Sequence, residues 1–140
     1  MDAVRLIGAS RSALTRCGDG AQIVAEAWQV QALAQAVGRL LAGSGPPRAR
    51  AAAVALSEAG VRLRFLPGHS AEIRAARLTE VRDPRRALGA LCDLLAQLCA
   101  ALVEVAAGAE DETLYGHCLD ALDATGDVAD RATALLEHLA

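Results

Sequence analysis

Leu88, Leu91, Leu95, Leu98, Leu102 and Val105 recur at alternating steps of three and four. At 3.6 residues per turn, an α-helix places such positions on one face, whereas a strand would scatter them. The flanks of this segment are also mostly Ala, Leu and Cys, and Asp93, Gln97 and Glu104 form one narrow polar stripe. A helix apolar nearly all round is enclosed by others. This helix, the fourth in the chain, is therefore expected near the centre of a bundle.

Composition extends that reading. The chain is 54% hydrophobic but only 2% aromatic, so its apolar mass is Ala, Leu and Val. Ala and Leu are strong helix formers. Its 140 residues suit one core, so residues 1–140 are read as a single helical-bundle domain.

Start and stop signals place the other helices. The first runs from Asp2 to about Arg16, with Ala3, Ile7, Ser10 and Leu14 inward, and Cys17-Gly18-Asp19-Gly20 breaks it. Ile23, Ala27, Val30, Ala34, Val37 and Leu41 define a second, ended by Gly43-Ser44-Gly45-Pro46-Pro47. A third begins at Pro46 or Pro47 and reaches at least Ala59. Residues 61–82 are ambiguous: Val61 to Phe65 alternate like a strand that could pair with Arg77 to Val81, and Ser70 could cap a short helix. Irregular or helical chain is favoured over that hairpin. Asp83-Pro84 restarts the chain as the fourth helix, to about Gly108. Glu110, Asp111 and Glu112 open a fifth, with Gly126 a candidate kink. Its inner face is read as Leu114, Cys118, Leu122, Thr125, Ala129, Ala132, Leu136 and Leu139. The expectation is an all-α, up-and-down antiparallel bundle of four to five helices.

Charge is distributed unevenly. Residues 48–86 hold nine Arg and four acids, whereas residues 87–140 hold ten acids and Arg131 alone. Arg74, Arg77, Arg82, Arg85 and Arg86 cluster in the first block, and Asp120, Asp123, Asp127 and Asp130 form a ridge in the second. Either set is a candidate partner-binding surface. The two are expected to face apart, because the Arg set crosses a break at Asp83-Pro84 and cannot match a continuous ridge in register. Nucleic acid is disfavoured as a partner: the chain is acidic overall, poor in aromatics and without a base-reading motif.

Motifs for chemistry are missing. No Gly-x-Ser-x-Gly or His-Glu-x-x-His occurs, and the chain has no Lys to complete a phosphate-cradling loop. Cys17, Cys92, Cys99 and Cys118 contain no Cys-x-x-Cys pair and read as core thiols; no metal or other cofactor is expected. Trp28, Gln31 and Gln35 share a flank of the second helix and could line a pocket. No secretory leader is apparent, and the span Leu88 to Ala107 carries Asp93 and Glu104, which weigh against a membrane crossing.

Two segments, IVAEAWQVQALAQAVGRLL (Ile23 to Leu41) and EDETLYGHCLDALDATGD (Glu110 to Asp127), resemble a small uncharacterised all-helical family of actinobacteria. That resemblance implies a cytoplasmic, stand-alone bacterial protein and transfers no activity. The sequence reading is a non-enzymatic interaction protein that self-associates as a homodimer through Ala-rich helix faces. The alternative is a small-molecule-binding bundle with a pocket near Trp28.

Overall fold

The computed structural model describes residues 1–59 and 73–139. In chain order it comprises α1 (Ala3–Thr15), α2 (Gly20–Ser44), a 3-10 turn at Pro47–Ala49, α3 (Arg50–Ala59), a second 3-10 turn at Arg74–Arg77, α4 (Pro84–Gly108) and α5 (Glu112–Leu139). The architecture is an all-α bundle, and short links fold α2 back along α1 and α5 back along α4.

Side-chain caps explain three of the starts. An orphan N–H at a helix N-terminus needs an acceptor. Asp2 accepts from Val4 N at 3.1 Å, Asp19 from Gln22 N at 2.9 Å and Asp83 from Arg86 N at 3.2 Å. The Asp83-Pro84 restart is therefore as the sequence indicates. Gly126 does not break α5, which is continuous to Leu139. A glycine inside a helix costs roughly 1 kcal/mol relative to Ala, and burial of Val128, Ala132 and Leu135 beyond it offsets that.

The buried side chains form one cluster drawn from every helix. The expected inward stripe of α1 (Ala3, Ile7, Ser10, Leu14) is buried. In α5 the buried line instead includes Ala121, Val128 and Leu135, while Leu114, Leu122, Ala129 and Leu136 are half-buried. Because α5 packs on α2, α3 and α4 at once, its contact face is centred between the two stripes.

The central helix is α2 and not α4, contrary to the sequence expectation. α2 packs against α1, α3, α4, α5 and the Arg74–Arg77 turn. α4 buries Ala87, Leu88, Leu91, Leu94, Leu95, Leu98 and Leu102, yet leaves Asp93, Ala96, Gln97, Ala100, Val103, Glu104 and Ala107 exposed. Three alanines and Val103, which a hydrophobic pattern counts as apolar, line that open side together with the polar stripe. By length and composition α4 is the one helix among the described residues that could cross a membrane.

Residues 61–72 of the ambiguous stretch lie outside the described residues, and with them Ser70 and the proposed strand at 61–65. The described remainder is a 3-10 turn, preceded by Ile73 without a side-chain cap, and an extended run. That run pairs with the start of the chain: Ala3 N donates to Glu80 O at 3.0 Å and Thr79 N to Met1 O at 3.1 Å. Asp2 also accepts from Arg82 N at 3.1 Å. That backbone N–H, followed by those of Val4 and Ala3, holds the Asp2 carboxyl below its usual range.

Helices α2 and α3 approach closely at Gly38. A Cβ there would lie 2.7 Å from Ser57 N and 2.8 Å from Ala53 O, both backbone atoms of α3. Gly38→Ala is therefore expected to destabilise the fold by about 1–3 kcal/mol through overpacking, although Ala is intrinsically the better helix former. Urea unfolding measures this, and an unchanged or raised midpoint would show that the two helices do not meet at this position.

Candidate functional site

Trp28 and Gln35 share an open cleft of about 230 Å³ with Ala32, Ala36 and Arg39 of α2 and Ile73, Ala75 and Ala76. Gln31 is not part of it. It points into the core, where its Nε2 donates to Thr125 Oγ1 at 3.2 Å. The helical offset explains the split: Gln35 nearly eclipses Trp28 two turns on, whereas Gln31 is rotated toward α5. The cleft is smaller than the ~300–1,000 Å³ usual for ligand pockets.

The five arginines do not form one patch. Arg74 turns inward and forms an ion pair with Glu26 of α2, with Nη1 3.0 Å from Oε1 and Nη2 against Oε2. Its Nη2 also reaches Ser10 Oγ at 3.5 Å, and its backbone N donates to Gln29 Oε1 at 3.0 Å. Arg82 pairs locally with Glu80 at 2.8 Å. Arg85 and Arg86 are exposed in the first turn of α4, and Arg77 is exposed at the end of the 3-10 turn. On the ridge, Asp127 lies 3.8 Å from Arg131 of its own helix, and Asp120, Asp123 and Asp130 are exposed. Among the described residues, none of the five arginines is within 4.0 Å of a ridge carboxylate.

The Glu26–Arg74–Ser10–Gln29 group ties α1, α2 and the Arg74–Arg77 turn together, and no sequence motif announces it. The available signal was Glu26 itself, the single acid in α2. An enclosed helix must pair such a group. Among the described residues, Arg74 Nε and Gln31 Oε1 are buried without a partner.

The thiols are separate. Cys92 Sγ sits 3.9 Å from Thr133 Oγ1 and Cys17 Sγ 3.3 Å from Ala13 O. Among the described residues no cluster of His, Cys, Asp and Glu could hold a metal ion.

An exposed apolar feature lies outside these groups, on the open side of the α4–α5 hairpin. Val103, Tyr115 and Leu119 are 55%, 46% and 45% exposed. The Cys92–Thr133 contact sets the register of the hairpin. Val103 lies three turns beyond Cys92 on the same flank, and Tyr115 five turns before Thr133 on the same flank. Counting back from that contact puts Val103 and Ala107 alongside Leu119 and Tyr115. Exposed Ala96 and Ala100 extend the seam toward Thr133. Sequence reasoning foresaw wide Ala-rich faces but could not say which one remains open.

Residues 1–138 match the model of a family described as a family of unknown function, DUF6099. The chain belongs to that family. No curated protein and no solved structure matches it.

Two expectations follow for DUF6099 chemistry at these groups. Arg74→Met should leave the Glu26 carboxylate without its cation. Breaking a fully buried pair costs about 3–5 kcal/mol. The loss here should be about 1–3 kcal/mol, because the side chains keep 22% and 14% exposure. A double-mutant cycle with Glu26→Gln, read by urea unfolding, measures the coupling, and additive effects would show that the pair contributes nothing.

Burial pushes all four thiols above their ordinary 9.0. The unfolded thiols therefore ionise first, so their contribution to stability is full below pH 9 and falls as pH rises beyond it. Alkylation of Cys92 and Cys99 should be slow in native protein and fast in denaturant. Rapid native labelling of both would contradict their packing.

Proposed function

We propose that this DUF6099 chain is a non-enzymatic interaction protein whose docking surface is the open α4–α5 seam. The observation carrying this reading is the exposure of Val103, Tyr115 and Leu119 together with the neighbouring alanines. Contiguous exposed apolar surface is disfavoured in water unless something covers it, and large side chains such as Tyr make good anchors at interfaces. A second copy of the chain is one candidate for the cover, through the two-fold contact expected of Ala-rich faces. Four cysteines without a disulfide among the described residues suit a reducing cytoplasm. A bacterial origin is part of the proposal and is supported by the resemblance of Ile23 to Leu41 and Glu110 to Asp127 to actinobacterial proteins.

A small-molecule site is the second reading. It is supported by the Trp28 cleft, in which Arg39 and Gln35 stand beside an indole and alanine walls. Trp28 is the sole tryptophan, so its fluorescence would report binding there directly.

The docking reading predicts that the double variant Val103→Glu, Leu119→Glu folds as stably as the parent, within about 0.5 kcal/mol, because both residues are on the surface. It should also lose any association the parent shows in sedimentation at tens of micromolar. A parent mass of 14.4 kDa at that concentration would remove the second copy as occupant. A large loss of stability in the variant would show that the seam is part of the core and not a docking surface.

A further inference from the structure

We propose that the occupant of the α4–α5 seam is a cationic amphipathic helix, with an apolar stripe flanked on both sides by Lys or Arg. This rests on the docking reading above and names its partner. Carboxylates rim the seam on both sides. Asp93 and Glu104 stand on the far flank of α4; on α5, Glu112 and Asp130 stand about 20° outward of Leu119, and Glu137 falls on the Leu119 line itself, five turns on. All five are exposed, and none is within 4.0 Å of a cation among the described residues. Arg11 of α1 is held on Gln97 Oε1 at 3.1 Å, at the outer edge of α4.

Two copies meeting seam to seam would bring two such rims together. From residue 87 onward each copy carries ten acids against Arg131 alone. Like charge across an interface is a strong selector against a partner. A helix with flanking cations meets the same rims with attraction, and its long side chains can lay their methylenes on the seam while the charges reach the carboxylates. The floor suits this shape. Ala96, Ala100 and Ala107 are small and leave room for larger anchors, while Val103, Leu119 and Tyr115 supply contact area at one end. From Ala96 to Ala107 the floor is ~16 Å long at 1.5 Å per residue, about three turns of a docked helix. That is the length over which anchors at i, i+3 or i+4, and i+7 engage a groove.

The experiment titrates the full chain with three synthetic helices of about 18 residues, ~27 Å long. They share one leucine stripe and carry Lys, Gln or Glu at the flanking positions. The Lys helix should bind, and its affinity should fall as NaCl rises from about 0.05 to about 0.5 M. The Glu helix should not bind. Val103→Glu with Leu119→Glu separates docking from simple charge attraction. It makes the surface more acidic, so plain attraction would strengthen, whereas a docked helix should bind at least about tenfold more weakly. Asp93→Asn, Glu104→Gln, Asp130→Asn and Glu137→Gln together should flatten the salt dependence. Equal binding of the three helices, binding of none, or tighter binding to the Val103→Glu, Leu119→Glu protein would overturn the proposal. Capture on phosphatidylcholine vesicles that is lost in the same double variant would do so as well, assigning the seam to lipid. If sedimentation shows a dimer that the double variant abolishes, and the Lys helix does not compete, the docking reading stands and this partner is wrong.

Discussion

The enclosure of α2 is the constraint on which the rest of the molecule depends. α1, α3, α4, α5 and the Arg74–Arg77 turn pack around it. The polar side chains it carries inside therefore turn to neighbouring elements for partners, and only Gln31 Oε1 is left without one among the described residues. Glu26 takes Arg74, Gln29 accepts from the Arg74 backbone, and Gln31 donates to Thr125. These bonds fix which elements surround α2 and in what register, whereas leucine packing alone would tolerate several arrangements.

The same enclosure opens the seam. With α2 in the middle, α4 belongs to the outer layer and can bury only the face turned toward α1, α2 and α5. Its alanines at 96, 100 and 107 are left in solvent with Val103. α5 presents Tyr115 and Leu119 at the same level, across the register set by Cys92 and Thr133. The apolar surface and its carboxylate rims are thus products of one packing choice, and they are the features of the molecule that most call for a partner.

Charge has a different consequence from the one its sequence distribution implied. Among the described residues none of the five clustered arginines pairs with a ridge carboxylate, yet the Arg set is not a free pole either. Arg74 is held internally by Glu26, while Arg82 pairs at the surface with Glu80 and its backbone N donates to Asp2. The acidic half is the one that keeps exposed charge beside exposed apolar surface. Binding surfaces combine those two properties, and solvated helix faces carry the first without the second.

Periodicity, capping residues and turn chemistry are local, and they determined the helices. The Leu88 to Val105 repeat, the Asp83-Pro84 start and the Gly43 to Pro47 stop could be read from the chain with no knowledge of neighbours, and α1 buried the stripe expected of it. Trp28 and Gln35 on one flank followed from spacing as well. Which helix sits at the centre did not follow, because α2 and α4 are both apolar nearly all round and composition ranks them alike. Rotation of α5 about its axis escaped for the same reason: three helices compete for its face. Gln31 and Thr125 are 94 positions apart, and Glu26 and Arg74 are 48 apart. No local rule links such pairs. The tertiary structure alone decided them, because a buried polar group is satisfied by whatever the fold brings within hydrogen-bond reach.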